Sequence, residues 1–146
     1  MATYQSPAVA NKNPVAVHGQ RFNVQEFRQT VTCTAAPSTS DTLQFGYMPK
    51  GARVVGGYLT ATDMDTNGSP TITLNIGDAG SAARLFSAST VAQASTLSLE
   101  QTVGGLDYQY TAKTLITGTA QANAATAAAG TVTLCLLYVV EDSTTS

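Results

Sequence analysis

Between Thr71 and Gly77 the chain alternates strictly. Ile72, Leu74 and Ile76 are aliphatic, whereas Thr71, Thr73 and Asn75 are polar. Side chains on a β-strand point to opposite faces with a period of two, so this run builds a half-buried strand. The preceding run, Gly51-Ala-Arg-Val-Val-Gly-Gly-Tyr-Leu-Thr-Ala-Thr62, is also rich in β-formers, and Asp63-Met-Asp-Thr-Asn-Gly68 separates the two. An Asn-Gly pair between such runs is a strong hairpin signal, because both residues tolerate positive φ. The stretch 51–78 is therefore predicted to be a hairpin around which the rest of the chain is organised.

Strand signals recur on both sides of it. Phe27 to Ala36 places Val31 and Cys33 on one face and threonines on the other. Pro37 to Asp41 is a turn cluster, followed by a short strand around Leu43, Phe45 and Tyr47, and Pro49-Lys50-Gly51 turns the chain again. Ala82 to Phe86 reads as a short strand or connector. Ser87 to Ser95 is the place for a helix of one or two turns, with Ser87 or Ser89 as N-cap. Leu106 to Ala112 and Leu115 to Gln121 read as strands, with Tyr108 and Tyr110 on one face of the first. Ala122 to Gly130 has helical propensity but no face of large apolar residues, and reads as a loop. The last strand, Thr131 to Val140, becomes continuously apolar from Leu136, which predicts a central strand covered on both faces.

About eight short strands spaced by turn signals define an all-β chain, a single jelly-roll-like antiparallel sandwich with an extended N-terminal arm. The expected divisions are the arm over residues 1–26, the sandwich over 27–141 and a polar tail over 142–146. Pro7, Pro14 and Gly19 interrupt the arm, yet Val15, Val17, Phe22, Val24 and Phe27 are too apolar for a freely solvated segment. The arm either packs along its own domain or reaches a neighbouring subunit. The second is favoured, which makes these five residues candidate contacts with a neighbouring subunit.

Composition narrows the function. Charged residues are 11 % of the 146, against a usual share of about 25 %. Such a surface suits burial in an assembly better than free solution. A net charge of −2 with seven scattered basic residues argues against nucleic acid as a partner. No apolar run is long enough to span a membrane, and the N-terminal residues do not form a secretory signal, so synthesis and assembly in cytosol are expected. Cys33 and Cys135 each fall inside a strand, where reduced thiols act as small buried hydrophobes. They come together only if the first and last strands pair suitably.

Candidate chemistry is sparse. Asp63, Asp65 and Asn67 with Gly68 match the opening of a calcium loop, but position twelve is Leu74 rather than a bidentate Glu, so a polar turn bonding its own backbone is the better reading. His18 is the only histidine, and lies in the arm without a nucleophile or orienting acid beside it in sequence. One His and two distant Cys make no zinc site. Gly56-Gly57 marks a bulge or close packing inside a strand. Asn67-Gly68-Ser69 fits a glycosylation sequon but is expected to stay unmodified. Tyr58, Tyr108 and Tyr110 could line a sugar-binding strip, although strand tyrosines more often pack at core edges. No enzyme activity, cofactor or metal is expected.

The segment Tyr47-Met-Pro-Lys-Gly-Ala-Arg-Val-Val-Gly-Gly-Tyr-Leu-Thr-Ala-Thr-Asp-Met-Asp65, with Pro70-Thr-Ile-Thr-Leu-Asn-Ile-Gly-Asp78, resembles a pattern in small structural proteins of tailed bacteriophages. Tyr110-Thr-Ala-Lys-Thr-Leu-Ile-Thr-Gly-Thr-Ala120 and Gly130-Thr-Val-Thr-Leu-Cys-Leu-Leu-Tyr-Val139 also suit that group, so the resemblance spans residues 43–140 and leaves out the arm. The group includes capsid cement, or decoration, proteins. The resemblance implies a non-enzymatic jelly-roll subunit on the virion's capsid surface. Its implied partners are the phage major capsid protein and one or two further copies of itself, as a dimer or trimer. The alternative is a carbohydrate- or receptor-binding module of a phage tail or head fibre.

Overall fold

A computed structural model describes residues 1–10, 23–95, 97–98 and 102–141. The strands are β1 (Thr3–Gln5), β2 (Gln25–Cys33), β3 (Thr42–Met48), β4 (Ala52–Ala61), β5 (Thr73–Gly77), β6 (Phe86–Ser89), β7 (Leu97–Ser98), β8 (Thr114–Ala122) and β9 (Gly130–Val140). One sheet has the order β1-β3-β8-β5-β6 and faces a second with the order β2-β9-β4-β7. All pairings are antiparallel except that of β1 with β3. With β1 set aside, the sheets hold four strands each, β3-β8-β5-β6 against β2-β9-β4-β7. That arrangement is a jelly-roll-like sandwich.

Alternation builds the core. Phe27, Val31 and Cys33 of β2, Leu74 and Ile76 of β5, and Val132, Leu134, Leu136 and Tyr138 of β9 all lie in one buried cluster between the sheets. Each fully buried aliphatic side chain contributes about 1.5–3 kcal/mol. β9 runs between β2 and β4 over most of its length, and its apolar run over 134–139 is buried on both faces except at Leu137, where the expected cover on the outer face is missing. In β3 the register shifts between Gln44 and Gly46, so the buried residues are Leu43, Phe45 and then Met48 rather than Tyr47. In β4 a similar shift lies between Val54 and Gly56. Gly57 beside it has φ +150°, and a Cβ there would run into the carbonyl oxygen of Cys135.

Four expectations change. The stretch 51–78 is not a hairpin: β4 and β5 lie in different sheets, and residues 62–72 carry the chain across the sandwich. β4 is already paired with β9 and β7, which leaves no ladder for β5. Neither Asn67 nor Gly68 has positive φ, so the Asn-Gly pair does not form the turn that its sequence signals. Ser87 and Ser89 belong to strand β6, and the only helical turn nearby is a 3-10 helix at Val91–Gln93 after Thr90. Residues 106–112 form turns with one bridge, Gln109 to Arg53, rather than a strand. They still dock on β4: Asp107 N–H donates to the Val54 carbonyl at 2.8 Å and Tyr110 N–H to that of Ala52 at 2.8 Å.

The N-terminal residues 1–10 pack along their own domain. Ala2 N–H donates to Asp41 Oδ1 at 2.6 Å, and Ser6 N–H to the Gln44 carbonyl at 2.8 Å. Ser6 is buried, with its hydroxyl donating to the Phe45 carbonyl, and Tyr4 packs against the core. A helical turn, α1 (Pro7–Ala10), follows β1.

Candidate assembly surface

The loop after β4 is organised by one carboxylate. Asp65 is buried, and its oxygens accept backbone N–H bonds from Thr71 (2.7 Å), Ile72 (3.2 Å), Ala125 (2.9 Å) and Thr126 (2.8 Å). Burial alone would raise its pKa, but these four donors hold the carboxyl well below the ordinary carboxylate range. Asp63 accepts from Asp65 N–H at 3.1 Å, and Asn67 accepts from Ser69 N–H at 2.9 Å while donating to Thr126 Oγ1 at 3.0 Å. The acidic loop thus spends these oxygens on backbone amides, its own and those of the loop before β9. Among the described residues no group of three or more His, Cys, Asp or Glu is placed to hold a metal ion.

A second polar knot closes the end of β5. Asp78 accepts from Arg84 Nε at 2.6 Å and Nη2 at 3.2 Å, and from the N–H groups of Gly80 and Ser81. Although burial pushes the Asp78 carboxyl up, the Arg84 bonds and these amides bring it below its usual value. The Arg84 guanidinium also lies 3.9 Å from the centroid of the Tyr108 ring, and Tyr108 meets Tyr110 edge-on at 5.0 Å. With its amides and guanidinium mutually occupied, this cluster serves as a clasp between the 78–84 turn and the 108–110 segment.

The three tyrosines do not form a sugar strip. Tyr110 is 2 % exposed, and burial pushes its phenol above the ordinary range. Tyr58 stands on β4 opposite Cys135. The cysteines do sit on paired strands, but Cys33 is opposite Gly130 and Cys135 opposite Arg28. Both are free thiols, and desolvation pushes Cys33, with a smaller contribution from Asp41, up to about 11.

One candidate contact surface is the outer face of the β2-β9-β4 sheet. Thr30 and Thr133 sit opposite each other with their hydroxyls 2.7 Å apart, beside the pair Thr32 and Thr131. Farther along, Leu137 is 38 % exposed, opposite Glu26 on one side and Gly56 on the other. Val55, at the β4 bulge, is also 38 % exposed. Arg53 ties the margin of this face together, donating to Asp107 Oδ1 at 2.6 Å and to Glu141 Oε1. The middle of the face is threonine and aliphatic, and charged side chains stand at its margins: Glu26 and Arg28 on β2, and Arg53 with Asp107 and Glu141 beside β4.

Of the five candidate contact residues, Val15, Val17 and Phe22 lie outside the described residues, as does His18. Val24 is 59 % exposed just before β2 and is available for contact. Phe27 is 1 % exposed and belongs to the protein's own core, because β2 starts at Gln25 and turns its odd-numbered residues inward. Leu137 and Val55 escaped sequence reasoning. Leu137 is hidden within a continuous apolar run, and Val55 owes its exposure to a bulge.

No protein-family model and no curated protein matches the chain. Solved structures do. A chain of the cyanophage Pam1 capsid asymmetric unit is 41 % identical with a TM-score of 0.75, the match covering 90 % of this chain and 96 % of that one. A chain of the Ralstonia phage GP4 capsid is 29 % identical with a TM-score of 0.84, covering 97 % and 99 %. A chain of the acid-stable capsid of Helicobacter pylori bacteriophage KHP30 shares the fold at 15 % identity and a TM-score of 0.50, covering 81 % and 94 %.

Proposed function

Because this chain belongs to the phage capsid-protein family of the matched Pam1 capsid chain, a virion structural role is its premise, and we propose that it is the cement subunit of a shell. In this reading it binds the outside of the assembled capsid as a dimer or trimer and bridges major capsid protein subunits. The observation that carries the reading is the 41 % identity to a Pam1 capsid chain, matched over 96 % of that chain's length.

The surface supports the same role. A shell-bracing subunit needs no deep pocket; it needs broad contacts repeated over a symmetric lattice, so that many weak sites act together. The outer face around Leu137, Val55 and the Thr30–Thr133 pair supplies an area of threonine and aliphatic side chains. Low desolvation cost follows from the scarcity of charge. The N-terminal region, with Val24 exposed at its end, is the second contact element. The protein acts mechanically, by holding neighbouring capsid subunits together.

The test is copy number and position in purified particles. Quantitative mass spectrometry should find the protein in fixed ratio to the major capsid protein. Cryo-electron microscopy should place it over the whole shell exterior. A few copies confined to a vertex or tail would refute the cement role.

A further inference from the structure

Four strands end the two sheets: β1, β2, β6 and β7. Three of them are short, at three, four and two residues, which is a common way to blunt an edge against unwanted pairing. β2 is the exception. It has nine residues, and among the described residues its only ladder partner is β9. No backbone hydrogen bond from the adjacent helical turn α1 reaches it. Among the described residues, then, no strand lies beside the row of N–H and C=O groups on the far side of β2 from β9.

The side chains of β2 match this edge to itself. Glu26 and Arg28 stand two residues apart on the outer face, both exposed, and neither forms an ion pair among the described residues. When a strand pairs antiparallel with a copy of itself, the register decides which residues meet. Centring on Glu26 or on Arg28 sets like charges opposite each other, and centring on Gln29 sets both charges against threonines. Centring on Phe27 sets Glu26 of each copy opposite Arg28 of the other, giving two reciprocal opposite-charge pairs. The same register lays exposed Val24 against Thr30 and brings Phe27 to the two-fold axis, on the core side.

We propose that the free edge of β2 is a two-fold interface between copies of this chain, paired antiparallel about Phe27 with Glu26 facing Arg28. The two β2-β9-β4-β7 sheets then join into one eight-stranded sheet, and the outer faces of both copies form one continuous surface. This deepens the proposed cement role by naming the contact of its dimer, and rests on that role only for its purpose. Backbone hydrogen bonds supply the affinity and the charges set the register.

The experiment is sedimentation equilibrium of the purified protein at low ionic strength, comparing the natural chain with Glu26→Lys, Arg28→Glu and the double swap. The natural chain should dimerise. Each single reversal places like charges together twice in the dimer and should raise the dissociation constant about tenfold or more; the swap should recover it to within about threefold. Raised salt should shrink the differences. Both residues are exposed, so melting temperatures taken at concentrations dilute enough for every variant to be monomeric should stay alike and separate a lost interface from a lost fold. A protein monomeric up to about 1 mM would overturn the proposal. So would a dimer indifferent to the single reversals, or reversals that the swap fails to rescue. No shell is present in this experiment, so dimerisation by a protein that does not decorate capsids would uphold the interface and remove only the cement role.

Discussion

Asp65 accepts a hydrogen bond from the backbone N–H of Thr126 at 2.8 Å, across sixty-one residues of sequence. Through it and three further amide donors, one side chain fixes the loop after β4 to the start of β5 and to the loop before β9. Replacing Asp65 with Asn keeps the size but removes the charge and turns one acceptor into a donor facing amide N–H groups. Buried donors left without a partner are costly. Asp65→Asn should lower the melting temperature by roughly 5–10 °C, measured by calorimetry with the far-UV spectrum unchanged.

Acid should act on the same contacts. Asp41, held by the backbone N–H groups of Ser38 and Ala2, has a lowered pKa; so do Asp65 and Asp78, where hydrogen bonds outweigh the opposing effect of burial. A depressed folded-state pKa means that the unfolded chain takes up protons first. The stabilisation is then fully present above the ordinary carboxylate value of about 3.9 and is lost as pH falls below it. Melting temperature against pH should be flat near neutrality and drop below about pH 4. The drop should be shallower in Asp65→Asn, which no longer has that carboxylate to protonate.

Calcium should do nothing. The Asp65 oxygens already face four amide hydrogens, and binding a cation there would mean giving those bonds up. A melting curve in millimolar calcium should overlay one in chelator within about 1 °C, because only a ligand that binds the folded state shifts the midpoint. A clear upward shift would reinstate the calcium loop.

The loop also marks where the sequence stops being sufficient. The period-two alternation in β2, β5 and β9 identifies their core faces directly, since burial of one face is a local property of each strand. Which strands pair is decided by long-range competition. β4 runs beside β9, from Ala52 opposite Val140 to Ala61 opposite Val132, and the Asn67-Gly68 signal cannot outweigh that ladder. Nothing local in 106–112 says that its amides dock on β4 without forming a strand, and nothing local reveals that Arg84 lies over Tyr108. The candidate contacts divide in the same way. Phe27 and Val24 look equally apolar in sequence, and only the start of β2 sends one inward and leaves the other outside.

Two glycines, one inside β4 and one in the crossing that follows it, test the backbone geometry. Gly57 sits at φ +150° with the Cys135 carbonyl where a Cβ would stand, whereas Gly68 has nothing within 4 Å of that position and no positive φ. Gly57→Ala should cost at least about 2 kcal/mol, from backbone strain and displacement of β9. Gly68→Ala should fall within about 0.5 kcal/mol of the natural chain. The opposite ranking in denaturant titrations would mean that Gly68 takes the positive φ of an Asn-Gly turn after all.

Val24 and Phe27 separate contact from core. Phe27 packs among the buried residues between the sheets, so Phe27→Ala leaves a cavity and should destabilise the protein by about 3–5 kcal/mol. Val24 precedes β2 and is mostly solvated, so Val24→Ala should change stability by no more than about 0.5 kcal/mol. Co-sedimentation of each variant with capsids lacking the protein reads the second property. Val24→Ala should bind more weakly while melting normally; Phe27→Ala, assayed well below its own melting temperature, should retain whatever affinity its folded fraction carries. Full binding by Val24→Ala would remove Val24 from the contact surface and leave the exposed sheet face around Leu137 and Val55 to carry the attachment.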